Sequence, residues 1–314
     1  MWKKDSICRL MNKYHNIMTD LLTKYSYFPD KEAIARHLDL LASNLEKVVS
    51  PEVLKECFSF MDLTTLHNTD TTESVARLMN KVNSFKTDFP DYPLPASVCV
   101  FSNFAKTLCE NRKYPQVHVT AVSGCFPTSQ SFLEVKLHEC RLAVENGADE
   151  IDIVLALNAF MKEDYETAGA EIAAMSKCIN EAAAAQNRKV VLKVILETGL
   201  LVTHERIAQA SFLAMENGAD FIKTSTGKVE VNATPVAAFV MCEAIAAYYK
   251  ATGRKVGFKA AGGISSAMDA VCYYSIVSSV LGKEWLRKDL FRFGVSRLAN
   301  NLLSAVEQET IAYF

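Results

Sequence analysis

Two lysines sit in runs that read as buried strands, Lys223 in "FIKTSTGK" and Lys259 in "GFKAAGG". Neighbouring strands lie about 5 Å apart, so inward lysines at similar heights bring two ammonium groups within repulsive reach. Burial and a like charge both lower an amine's pKa. A lysine held partly neutral near pH 7 is a nucleophile that forms a Schiff base with a carbonyl, and lysine suits the role because its primary amine shifts its pKa readily. The competing reading is that each lysine pairs with an aspartate and simply fills a core.

Other polar residues fall near the ends of similar runs: Asp62 and Thr64 in "MDLTTL", Cys99 in "SVCVF", Asp152 in "EIDIV" and Lys193 in "LKVILETG". Two carboxylates and three lysines would then crowd one cavity, and buried charges need partners or a task. Each of the turns "STGK", "AAGGIS" and "FGVSR" offers small residues and backbone N–H groups where a strand hands over to a helix, a usual cradle for phosphate. Gly227, Lys228, Gly262, Gly263, Gly294 and Ser296 are the candidate phosphate-binding residues.

The elements that must position these groups alternate along the chain. Strand-like runs occur at "CFSFMDLT", "ASVCVFS", "QVHVTAVSG", "EIDIVLALN", "KVVLKVILETG", "ADFIKTSTG", "KVGFKAAGG" and "LFRFGVS". Between them lie amphipathic stretches such as "SFLEVKLHECRLAVENGA" and "THERIAQASFLAMENGA". Eight such repeats predict a (β/α)₈ TIM barrel, with a doubly wound sheet as the rival. The phrase "ENGAD" closes a helix twice, at Glu145–Asp149 and Glu216–Asp220. In each copy a glycine supplies a left-handed stop, and Asp152 and Lys223 follow at the same offset, so the two should reach the barrel interior at matching depth.

Residues 1–50 have helical spacing and are expected to form an N-terminal helical extension, with 51–314 as the barrel domain. The first stretch is broken by polar residues and predicts neither a secretory signal nor a membrane span. The near balance of basic and acidic residues, a formal net charge of −2, argues against a nucleic-acid partner. Nine cysteines without metal-ligand spacing read as free thiols in a reducing compartment, so the expected location is cytoplasmic.

The motifs "ADFIKTSTGK", "FKAAGGI", "ADEIDIV", "MDLTTL", "LKVILETG" and "RFGVS" together resemble the deoxyribose-phosphate aldolases, class I aldolases on a (β/α)₈ barrel. The resemblance runs in order from about Cys57 to Leu303. It implies reversible cleavage of 2-deoxy-D-ribose 5-phosphate to D-glyceraldehyde 3-phosphate and acetaldehyde, without metal or cofactor. It further implies that Lys223 is the Schiff-base lysine, Lys259 the lysine that perturbs it, and Asp152 the carboxylate that moves protons. Asp62, Thr64, Cys99, Lys193 and Thr226 are the expected substrate contacts, with a bridge from Asp62 and Thr64 to Lys193 as the alternative for the first strand and a buried filler as the alternative for Cys99. A sugar phosphate is the expected partner, with a homo-oligomer plausible on the size of the barrel. Arg297 follows Ser296 where members of the family often have Ser or Thr, and Tyr313 stands next to last, either a frayed end or a phenol within reach of the mouth. Other lysine-barrel chemistry, such as transaldol transfer, and a non-catalytic sugar-phosphate-binding barrel are the alternatives.

Overall fold

The computed structural model describes residues 21–314; the first part of the expected N-terminal extension lies outside the described residues. Eight parallel strands close into a barrel in sequence order: β1 (Met61–Thr64), β2 (Ser97–Phe101), β3 (His118–Val122), β4 (Glu150–Val154), β5 (Val191–Ile195), β6 (Phe221–Lys223), β7 (Gly257–Ala261) and β8 (Phe291–Val295). The expected (β/α)₈ architecture is therefore observed. Helices such as Leu133–Glu145, Tyr165–Ala184, His204–Glu216, Pro235–Thr252 and Ala267–Leu281 occupy the places of the amphipathic stretches. Their apolar faces and the outward-facing strand residues make one continuous core.

Strand boundaries differ from expectation at three places: Leu157–Asn158 and Thr198–Gly199, read as strand ends, begin short helices, and the first strand starts late. Cys57–Ser59, read as the start of a strand, completes the helix Pro51–Ser59. Leu54, Cys57 and Phe58 are buried on one face of it, the spacing of a helix rather than the alternation of a strand. Ser50 caps this helix by accepting a hydrogen bond from the Val53 N–H, and Pro51 occupies its first turn.

The two "ENGAD" joints adopt the same geometry. Gly147 and Gly218 have φ of +95° and +104°, a conformation that favours glycine. The last aspartate of each copy then pins the strand that precedes it in the barrel. Asp149 Oδ2 accepts from the Val119 N–H at 2.8 Å on β3, and Asp220 Oδ2 accepts from the Leu192 N–H at 2.9 Å on β5. Their own backbone N–H groups donate to Val119 O and Leu192 O, each at 2.8 Å. Each joint thus sets the register of the strand that carries Asp152 or Lys223.

The segment ahead of the barrel is docked on its outer helices. Tyr25 stacks on Phe212 with ring centroids 4.4 Å apart and donates from its hydroxyl to Glu216 at 2.6 Å. Tyr27 donates to Glu243 at 2.7 Å, and the helix Lys31–Ala42 packs against Pro235–Thr252 and Ala267–Leu281.

Removing the Asp220 carboxylate strands a buried strand N–H, which costs about 1–3 kcal/mol. Asp220→Ala should lose that much stability in urea titration, and a loss under about 0.5 kcal/mol would show that the joint does not hold the register.

Candidate active site

The strand register sorts the inward side chains into layers. In a barrel of this class the register slips one residue per strand, so residues at one height come from alternate strands, two positions further along at each step. Starting at Cys99 on β2, that rule leads to Asp152 on β4, Lys223 on β6 and Gly294 on β8, then closes on Cys99 again. Asp152 and Lys223 do share a layer, as the repeated joint requires. The layer beneath holds Asp62, Thr120, Lys193 and Lys259, and the one below that Ser97, Glu150, Phe221 and Arg292.

Barrel interiors are ordinarily filled by branched aliphatic residues; this one is filled by charge. Asp152 accepts from three lysines: Lys193 on Oδ1 at 3.0 Å, and Lys223 and Lys259 on Oδ2, each at 2.8 Å. Lys259 also pairs with Asp62. Lys193 pairs with Glu150 and lies 3.7 Å from Asp62. Arg292 bridges Asp62 and Glu150, meeting the latter at 2.7 and 3.1 Å. All seven groups are buried, none more than 3% exposed.

The pairing is unequal. Lys193 contacts three carboxylates and Lys259 two, whereas Lys223 contacts Asp152 alone and shares that oxygen with Lys259. Four cations (Lys193, Lys223, Lys259, Arg292) face three carboxylates (Asp62, Glu150, Asp152), leaving one positive charge in excess. An uncompensated buried charge is costly, and an amine escapes the cost by losing its proton.

Burial lowers the Lys223 amine, Asp152 pulls it partly back, Lys259 adds to the lowering, and the net direction is below the ordinary lysine value. Burial would lower Lys259 as well, but Asp152 and Asp62 outweigh it and push the amine above that value. Burial would raise Asp152, but Lys193, Lys223 and Lys259 together hold it below the usual carboxylate range. The amine expected to be perturbed by a like charge is thus perturbed first by burial, with the like charge in support.

Of these seven, only Lys223 reaches the cavity of about 220 Å³ at the mouth of the barrel. Thr64, Thr226, Gly227, Lys228, Gly262, Gly263, Gly294 and Ser296 line it too, so every candidate phosphate residue borders the same space as Lys223. Gly227, Gly262 and Gly263 have φ of +80°, +84° and +79°, and a Cβ at Gly227 or Gly263 would meet nothing. The backbone at Gly227 and Gly263 therefore faces open space, whereas Gly262 is packed against Asn232. Lys228 is held by Leu66 O at 2.7 Å, and Arg297 lines the cavity at the start of the helix Leu298–Glu307.

Some placements depart from the expected substrate contacts. Asp62, Cys99 and Lys193 are fully buried and have no surface on the cavity; Asp62 and Lys193 lie one layer below Lys223, and burial pushes the Cys99 thiol up. Thr226 borders the cavity, but its hydroxyl donates to Glu197 and accepts from the Lys228 N–H at 3.1 Å, so it orders the turn. Thr64 gives its hydroxyl to Asp62 O at 2.7 Å. The Tyr313 hydroxyl donates to Asp88 Oδ2 at 2.7 Å and lies 3.0 Å from Lys81 O, docked on the helix Thr72–Asp88 and outside the cavity lining.

Sequence reasoning missed Glu150, Arg292, Glu197 and His67. Glu150 and Arg292 stand two residues before Asp152 and Gly294, which puts them on the same inward face. Glu197 follows Lys193 in "LKVILETG" and accepts from the Thr226 N–H at 3.1 Å. His67 lines the cavity from the loop after β1.

A model of the family described as DeoC/LacD family aldolase matches residues 58–272. The deoxyribose-phosphate aldolases of Homo sapiens and Mus musculus are each 38% identical to this chain over 277 residues, covering 82% of it and 80% of the relative. Among solved structures, the tetrameric deoxyribose phosphate aldolase from Aeropyrum pernix superposes with a TM-score of 0.63 at 26% identity, covering 88% of this chain and 98% of that one.

If Lys259 supports the depressed Lys223 amine, Lys259→Leu removes both a like charge and the excess cation. The midpoint for reductive alkylation of Lys223 by a small aldehyde, followed by mass spectrometry across pH, should then move upward. An unmoved midpoint contradicts the coupling between the two lysines.

Proposed function

The chain belongs to the DeoC/LacD family of aldolases, and we infer that it cleaves 2-deoxy-D-ribose 5-phosphate reversibly to D-glyceraldehyde 3-phosphate and acetaldehyde through a Schiff base on Lys223. The observation that carries this reading is that Lys223 alone, among the seven charged side chains of the buried network, borders the cavity. It is also the cation of the four with the fewest carboxylate partners, so a neutral amine meets the substrate carbonyl.

In the cleavage direction the Lys223 amine adds to C1 of the open-chain sugar and water leaves, giving an imine protonated on nitrogen. Loss of the C3 hydroxyl proton breaks the C2–C3 bond. The three-carbon aldehyde phosphate departs, and the bonding pair moves into the imine as an enamine. Protonation at C2 and hydrolysis then release acetaldehyde and free Lys223. Asp152 touches both Lys223 and Lys259 through one oxygen, at 2.8 Å each. It is thereby suited to pass protons between the amine and the second lysine, a general acid–base role.

The phosphate is assigned to the open backbone of Gly227 and Gly263, with Gly262, Gly294 and Ser296 beside them and Lys228 and Arg297 supplying positive charge. Small residues leave N–H groups accessible at these turns. Asp62 and Lys193 act from beneath the substrate, through Lys259 and Asp152.

A homo-oligomer, a cytoplasmic location and a division into an extension (1–50) and a catalytic barrel (51–314) belong to the same proposal. The tetrameric relative supports the first. Among the described residues no helix is long and apolar enough to cross a membrane.

Incubation with acetaldehyde and borohydride should leave an ethyl group on Lys223, detectable by mass spectrometry of its peptide. Lys223→Leu should lose both the adduct and turnover. An adduct elsewhere, or one undiminished in the variant, would overturn the assignment.

A further inference from the structure

The layer beneath Asp62, Lys193 and Lys259 contains a carboxylate and a guanidinium that cannot touch the substrate. Glu150 is fully buried and Arg292 is 2% exposed. They meet through two hydrogen bonds, Nη2 to Oε1 at 2.7 Å and Nη1 to Oε2 at 3.1 Å. Each is also tied upward: Arg292 pairs with Asp62 and Glu150 with Lys193, and those two contact Lys259 and Asp152 in turn. Only Lys223 lies at the far end of this network with access to the cavity.

We propose that Glu150 and Arg292 are positioning residues which act through charge count, fixing the single excess cation that the sealed core relieves by leaving Lys223 without its proton. The inference rests on the Schiff-base reading of Lys223. It follows from the arithmetic of the network: four cations against three carboxylates, with one cation able to shed its charge. Neutralising Arg292 leaves three against three, and no proton need be lost. Neutralising Glu150 leaves four against two, and the pressure to lose one grows. Neutralising both leaves three against two, restoring the original excess.

The groups facing this network are few. Lys223 is faced by Asp152 from β4, Lys259 from β7 and the Cys99 thiol from β2. Glu150 is faced by Arg292 and Lys193, by the Thr120 hydroxyl at 2.9 Å, and by His118 Nδ1 at 2.6 Å. His118 is 35% exposed by side chain at the floor of the barrel, and a His118→Gln control removes its contact with Glu150.

The experiment is the pH dependence of kcat/KM for Glu150→Gln, Arg292→Met and the double variant, with Arg292→Lys as a charge-conserving control. Borohydride trapping with acetaldehyde is run first on each. The acidic limb should move down in Glu150→Gln and up in Arg292→Met, each by on the order of one pH unit for a charge at this range in a partly screened interior. It should return toward the wild-type position in the double variant and stay there in Arg292→Lys. If Arg292→Met does not fold, the downward shift in Glu150→Gln still decides, because loss of a packing partner alone lowers activity without moving that limb to more acidic pH. Limbs that stay in place, or move in the same direction in both single variants, overturn the proposal. Absence of a trapped adduct in the wild-type protein would instead overturn the Schiff-base reading itself.

Discussion

Four cations packed with three carboxylates inside a closed barrel are the constraint on which the rest of this molecule turns. In water such a cluster would be screened and its members would titrate near their ordinary values. Here solvent is excluded from all but the Lys223 end. Desolvation makes the uncompensated charge expensive, and the amine with one shared partner relinquishes it. Burial and Lys259 act on Lys223 in the same direction, while Asp152 keeps the side chain aimed and available for proton transfer.

That cluster exists only if strands from all round the barrel keep their register. A slip of one residue would turn every inward group outward. The repeated "ENGAD" joint counters this locally, since each copy places an aspartate against the first residues of the adjoining strand. Outside the ring of helices, the tyrosines near the start of the described chain tie the N-terminal segment to Glu216 and Glu243. Glu216 opens the second copy of the joint. The structural phrase and the docking contact therefore meet at one place.

Much of this was legible in the sequence, and the rest was hidden for identifiable reasons. Eight strands, five long helices, the two joints and the lysine pair follow from periodicity and from the oddity of charge in apolar runs. Glu150 and Arg292 were hidden because a charged residue at the start of a strand reads as a solvated end. Parity with Asp152 and Gly294 was the available signal. The helical state of Cys57–Ser59 was masked by "CFSF", whose apolar density hides the helical spacing of Leu54, Cys57 and Phe58. Which lysine contacts which carboxylate was not legible, because that depends on the stagger of non-adjacent strands. The tail was ambiguous for the same reason: Tyr313 finds Asp88 more than two hundred residues away.

The most direct measurement is the titration of individual lysines by NMR, with ¹³C at the ε-carbon and assignment by substitution. The account predicts that Lys223 titrates below the ordinary lysine range while Lys193 and Lys259 stay protonated throughout. A Lys223 that keeps its proton into the ordinary lysine range, or a Lys259 that loses its proton first, would contradict it.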